Sequence, residues 1–167
     1  MKKIILLAAF FTFSFSGFFI SYDLSADYEI SYDENYYYYA GSQDGSFDDS
    51  GLTVGYETEP KNNSAFGISY DVVGVANEGF EGPFLNTYFK YISVLSGGMY
   101  LFGTLGYNLP QGDWEDGEWD GGLSYSLGLQ LANGIGISYL FNNVSREQFG
   151  GGDETAKVTR LSISYNF

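Results

Sequence analysis

Apolar and polar residues alternate along most of this chain, in short runs separated by breaks rich in Gly, Asp and Asn. A period of two puts successive side chains on opposite faces of a β-strand. The cleanest run sets Leu123, Tyr125, Leu127, Leu129 and Leu131 against Ser124, Ser126, Gly128 and Gln130. The same pattern recurs in Leu52–Glu57, Phe66–Val72, Leu85–Tyr91, Met99–Leu109 and Ile135–Asn142, and in a last run from about Ala156 to Phe167. A less regular first strand falls within Asp27–Ala40, where Tyr28, Ile30 and Tyr32 alternate with Asp27, Glu29 and Ser31. The pattern predicts eight strands.

The breaks alternate in length. Glu59–Asn63, Ser96–Gly98 and Ala132–Gly134 are brief. Gly41–Ser50, Asn77–Gly82, Pro110–Asp120 and Glu147–Thr155 are longer and acidic. In an up-and-down meander this puts every long connection at one end and both ends of the strand array at the other. The two faces also differ in an unusual way. One carries Leu, Ile, Tyr and Phe with almost no charge, and the other is mostly Gly, Ser, Thr and Asn. A water-soluble barrel would turn its polar face to solvent and fill it with Lys, Glu and Asp. Here the polar residues are small enough to fill a narrow lumen, and the apolar face would aggregate in water. The expected fold is all-β: an eight-stranded antiparallel up-and-down transmembrane β-barrel.

Composition narrows the chemistry. Among 167 residues there is no Cys and no His, so thiolate sites and the commonest general base are missing. Seven basic residues against 21 acidic ones give a net charge of −14, which argues against a nucleic-acid partner. No enzyme activity and no cofactor is expected.

The N-terminus reads as an export signal. Lys2 and Lys3 precede the apolar run Ile4–Phe13, followed by the small residues Ser14 and Ser16. The signal peptide is expected to span 1–16, with Ala26 as a later alternative cleavage point, and the barrel domain to span 27–167. Phe18, Phe19 and Ile20 extend the apolar run, which an uncleaved anchor would also do.

The chain ends on Leu161-Ser162-Ile163-Ser164-Tyr165-Asn166-Phe167. Alternation closing on an aromatic resembles the C-terminal signal of bacterial outer-membrane β-barrels. Leu161, Ile163, Tyr165 and Phe167 would face lipid and present that signal. Tyr36–Gly41 and Ser50–Tyr56 resemble the opening hairpin of small barrels of the OmpA/OmpX-like superfamily. The resemblance implies a bacterial outer-membrane location and a monomer. It also implies contact with outer-membrane lipids and lipopolysaccharide, and insertion by the β-barrel assembly machinery. No periplasmic domain is expected after the eighth strand. The catalytic barrels of this kind lean on a His that is absent here.

Two sets of residues remain as candidate sites. By alternation Glu57, Asp71, Lys90 and Arg160 point into the lumen, where charges pair because a lone buried charge is costly. They form either a structural plug or the gate of a narrow ion path. The loop Asp113-Trp114-Glu115-Asp116-Gly117-Glu118-Trp119-Asp120 concentrates acids. With Asp44, Asp48, Asp49, Glu78, Glu81, Asp153 and Glu154 it would form an acidic rim. Asp113, Glu115, Asp116, Glu118 and Asp120 are weak divalent-cation candidates, and the two Trp would anchor at the interface or bind a partner. The expected role is structural or surface-exposed. The alternative is an adhesin, or a protein that binds cations or lipopolysaccharide through these loops.

Overall fold

The computed structural model describes residues 17–32, 42–47, 50–77, 80–111, 119–147 and 153–167. Its strands are β1 (Phe18–Tyr32), β2 (Ser42–Ser46), β3 (Leu52–Glu57), β4 (Ser64–Val73), β5 (Val75–Asn77), β6 (Phe80–Gly82), β7 (Phe84–Val94), β8 (Met99–Pro110), β9 (Gly122–Leu131), β10 (Ile135–Glu147) and β11 (Asp153–Asn166). Neighbouring strands pair antiparallel in the order β11-β10-β9-β8-β7-β4-β3-β1, with β2 also on β1. Pairing of β1 with β11, from Phe19↔Asn166 to Tyr32↔Glu154, closes the sheet. Closure removes both edges, which an open sheet would expose to other chains. β2 pairs with the far part of β1 and β3 with the near part, so the two make one interrupted stave. β5 and β6 pair with each other beyond β4 and β7. The barrel has eight staves.

Tight turns join β3 to β4, β7 to β8 and β9 to β10 at one end, called the lower end here. Backbone with positive φ at Asn62, Asn63, Gly97, Gly98 and Gly134 makes these reversals. Inside the lower half, large rings lie opposite glycines. Phe19 pairs with Gly55, Tyr88 with Gly67 and Phe102 with Gly128. A Cβ at any of the three glycines would run into the facing ring, so the ring takes the space that the glycine leaves.

The outer wall of the lower half is apolar. Phe66 (66% exposed), Leu127 (60%) and Leu105 (57%) stand out from it, with Val54, Ile68, Leu129, Ile137, Ile163 and many others. Toward the upper end the pattern reverses. Along β11 the buried side chains run Glu154, Ala156, Val158, Arg160 and Ser162. The intervening outward positions run Thr155, Lys157, Thr159, Leu161 and Ile163. Apolar-out, polar-in below Arg160 becomes polar-out, apolar-in above it. β1 makes the same switch through a bulge between Asp23 and Ser25. Below the bulge Phe18, Ile20, Tyr22 and Leu24 face out. Above it Asp27 and Glu29 face out, while Ala26 is buried and Tyr28 and Ile30 pack inward. β10 changes after Phe141, with Asn143 and Ser145 outside and Val144 buried.

Three expectations change. The first strand is Phe18–Tyr32, not a segment within Asp27–Ala40, so the barrel begins at Phe18 rather than 27. The apolar residues Phe18, Phe19 and Ile20 alternate in a strand instead of extending a helix. The break Gly41–Ser50 contains a strand, Ser42–Ser46, because the upper part of β1 needs a partner there. The expected signal peptide and the aromatic run Tyr36–Tyr39 lie outside the described residues.

Candidate functional site

The lumen is layered, and β11 passes through every layer. At mid-height Arg160 is the central group, 1% exposed. Its Nη2 donates to Asp71 Oδ2 at 2.5 Å and its Nη1 to Asp23 Oδ2 at 3.4 Å. Asp71 is fully engaged: Thr53 Oγ1 donates to Oδ1 at 2.7 Å, and the Phe84 backbone N–H donates to Oδ2 at 3.0 Å. Asp23 accepts from Ser162 Oγ at 2.6 Å. Both carboxylates are as buried as the arginine, at 1% exposure each. Three charges in so dry a place hold only because hydrogen bonds satisfy most of their atoms.

A second set lies near the lower end. Lys90 Nζ donates to Glu57 Oε2 at 2.8 Å and to Gln130 Oε1 at 3.4 Å. Tyr88 OH donates to Glu57 Oε1 at 2.9 Å, and the ammonium stands 4.3 Å from the Phe102 ring centroid. A cavity of ≈ 90 Å³ borders both sets, touching Asp23, Glu57 and Lys90 among serines, threonines and Asn86.

Above the arginine the lumen is filled by apolar side chains. Phe84 and Val158 are at 0% exposure, and Ala26, Phe47, Trp119, Val144 and Ala156 complete the plug. The Phe84 ring also lies against the guanidinium, with 5.2 Å from Arg160 Cζ to its centroid. Higher still Arg146 Nε donates to Glu154 Oε2 at 2.6 Å, and Arg146 stacks 4.7 Å over the Trp119 ring.

Glu57, Asp71, Lys90 and Arg160 all point into the barrel, but as two separate groups rather than one network. The residue that alternation from 27 onward misses is Asp23. Its signal was present in Phe18, Ile20, Tyr22 and Leu24 against Phe19, Ser21 and Asp23, a run overshadowed by the apolar segment before it. Leu161, Ile163, Tyr165 and Phe167 line the outer face at the lower end of β11. Glu154 is not part of an acidic rim, because it is buried against Arg146. Trp119 is likewise in the plug and not at the barrel surface. Asp113, Glu115, Asp116 and Glu118 lie outside the described residues. Asp120 is exposed beside Ser145. Among the described residues no cluster of three acidic side chains is arranged to hold a metal.

Gly51 shows how tightly the mid-height group is built. Its carbonyl accepts from the Asp23 backbone N–H at 3.0 Å, and a Cβ there would collide with Asp23 Oδ2. Gly51→Ala is expected to push Asp23 off Arg160 and destabilise the barrel by about 1–3 kcal/mol, the usual cost of overpacking. Urea unfolding of the refolded protein measures it, with Gly97→Ala as a control for strain without a clash. An unchanged midpoint for Gly51→Ala would mean that Asp23 is free to move.

A closed antiparallel barrel of eight staves, apolar outside and polar within its lower half, is the fold of the small outer-membrane β-barrels. Neisserial surface protein A has this fold: it superimposes with a TM-score of 0.57 at 13% identity, over 91% of this chain and 98% of that one. The outer membrane protein OprG from Pseudomonas aeruginosa matches at a TM-score of 0.47 and 11% identity, over 91% and 96%. No protein-family model matches the sequence, and no curated protein matches it.

Proposed function

We propose that this chain is a monomeric, non-catalytic protein of a bacterial outer membrane, with a structural or surface role and a lumen closed to ions at rest. It would be exported by the segment 1–16, inserted by the assembly machinery through its last strand, and surrounded by phospholipid and lipopolysaccharide. The observation that carries this reading is the reversal of the alternation along β11, β1 and β10. Lipid rewards an apolar exterior and water a polar one, so the switch marks where the wall leaves the bilayer. Cleavage after Ser16 suits this reading better than cleavage after Ala26, since the latter would remove Asp23 and the lower part of the closing contacts, from Phe19 to Ala26.

A closed lumen is supported by two barriers in series, the Arg160 group and the apolar plug above it. Eight strands leave an interior just wide enough for side chains to fill. The plug carries most of the seal, because a narrow apolar constriction sheds water and a layer of charged side chains does not.

The membrane reading has a direct test. Leu127→Arg places a cation on the outer wall of the apolar band and is expected to cost about 2–4 kcal/mol in a bilayer. Glu29→Lys, on the outer wall above the switch, exchanges the exposed pair with Lys157 at 3.1 Å for two like charges screened by water and should stay within about 1 kcal/mol. Urea unfolding from lipid vesicles gives both values. Equal costs at the two positions would contradict the placement in lipid.

A further inference from the structure

Closure gives each stave a neighbour on both sides except where a stave is interrupted. β2 pairs with β1 from Asp27↔Ser46 to Ser31↔Ser42. Its other edge has no partner among the described residues. β5, which follows β4 in the neighbouring stave, pairs with β6 alone. The wall therefore carries a short free edge in its upper half, above the switch from apolar to polar.

The pairing shows which groups line that edge. The Phe47 N–H donates to the Ala26 carbonyl at 2.9 Å. Alternate residues of an antiparallel ladder turn the same way, so Gln43 and Gly45 also bond toward β1. Ser42, Asp44 and Ser46 turn their backbone N–H and C=O groups away from β1, where no strand among the described residues meets them. Donors and acceptors at a spacing of two residues are a template for one more strand.

Charge selects the occupant. Lys157, Glu29 and Asp44 stand in one line across β11, β1 and β2 on the outer face. Lys157 Nζ donates to Glu29 Oε2 at 3.1 Å. Asp44 is exposed at the free end of the line, directly across from Glu29, and no cation among the described residues pairs with it. Like charges directly across a ladder destabilise it. A Lys or Arg on an added strand would continue the line as plus, minus, minus, plus. The same carboxylate disfavours a second copy of this chain, because two-fold pairing of β2 about its middle residue sets two Asp44 side chains against each other. A short edge with an acid at its centre is guarded against its own kind and open to a basic strand.

We propose that the free edge of β2 is a docking site for an extended basic segment of another protein, added as a strand with Lys or Arg opposite Asp44. The residue opposite Asp44 also exchanges backbone hydrogen bonds with it, so shape and charge are read at one position. The backbone supplies affinity for any extended chain, and Asp44 with Glu29 selects a cationic one. Access from the external medium rests on the outer-membrane placement proposed above; binding in micelles does not.

The test uses the refolded full-length protein in zwitterionic micelles at low ionic strength. The probe is a short fluorescent peptide of alternating Thr and Lys, and its anisotropy reports binding. Saturable binding is expected. The same peptide methylated on the backbone nitrogen of every Lys keeps its charge and loses its donors, and should bind about tenfold more weakly or worse. Asp44→Lys should weaken the unmodified peptide by a similar factor. Ser42→Pro removes one free-edge N–H and no charge, at a place where an edge strand tolerates proline, and should weaken it several-fold. Absence of saturable binding would overturn the proposal. Equal binding of the methylated peptide would also overturn it, since that assigns the attraction to the acidic loops acting on any polycation. Undiminished binding to either variant would do the same.

Discussion

Arg160→Ala is expected to cost the barrel about 3–5 kcal/mol, the usual price of removing one member of a buried ion pair. The alanine would leave Asp23 and Asp71 facing each other across the lumen at 1% exposure, with no cation between them. The desolvation penalty of both charges then stands without its compensation. Asp71 would keep the hydrogen bonds from Thr53 and Phe84, and Asp23 that from Ser162. These hold the carboxylates in place, so relaxation away from each other is limited. Adding Asp23→Asn and Asp71→Asn to Arg160→Ala should recover much of the loss, because neutral groups of the same shape need no counter-ion. Equilibrium unfolding in urea from lipid vesicles, read by gel mobility, provides the measurement. A midpoint unchanged in Arg160→Ala would show that water, not arginine, neutralises this layer.

The largest effect on permeability is expected from the plug. In planar bilayers the native protein should give no steady channel events, and the double variant Phe84→Ala, Val158→Ala should give discrete openings. Both side chains are at 0% exposure and stand directly over the arginine. A narrow apolar constriction excludes ions by shedding water, whatever the charges below it do. Truncating the two side chains opens that constriction and costs about 3–5 kcal/mol in lost packing for the phenylalanine alone. By contrast, Lys90→Met with Glu57→Gln dissolves the lower ion pair at 2.8 Å but leaves the plug whole. That pair of changes should leave the barrel closed. Openings in the Lys90 and Glu57 variant, with none in the plug variant, would make the ion pairs the gate and the plug incidental.

Among the described residues four buried atoms have no protein partner: Asn86 Oδ1, Asn142 Nδ2 and Oδ1, and Arg160 Nε. Their number matches two open donors and two open acceptors. Water satisfies such a mixed set, as it donates and accepts equally.

Much of this was legible in the chain. β9 reads directly as a strand with Leu123 to Leu131 on one face, because it lies wholly inside the apolar band and keeps one phase throughout. The inward direction of Arg160 and Lys90 follows from the same rule on β11 and β7. β1 was harder. Its bulge between Asp23 and Ser25 shifts the phase, and at the same height the outer face changes from apolar to polar. The bulge turns Tyr28 and Ile30 inward, and at that height the inward face is the apolar one. Together they place these side chains against Phe47 and the plug, with 5.1 Å between the Tyr28 and Phe47 ring centroids.

The sequence by itself determined the strands of the barrel wall from Leu52 onward, their meander and, within the apolar band, the side of each that faces outward, because alternation is a local property of adjacent residues. The partners in the lumen were decided by the tertiary structure alone. Asp23 and Arg160 are 137 positions apart, and no local pattern relates them. They meet because closure sets β1 beside β11 in one register, and because the bulge keeps Asp23 inward at that height. The division between a charged layer, a cavity and an apolar plug likewise depends on which residues of eight staves share a level. Stagger around a closed barrel sets that level, and a linear sequence does not display it.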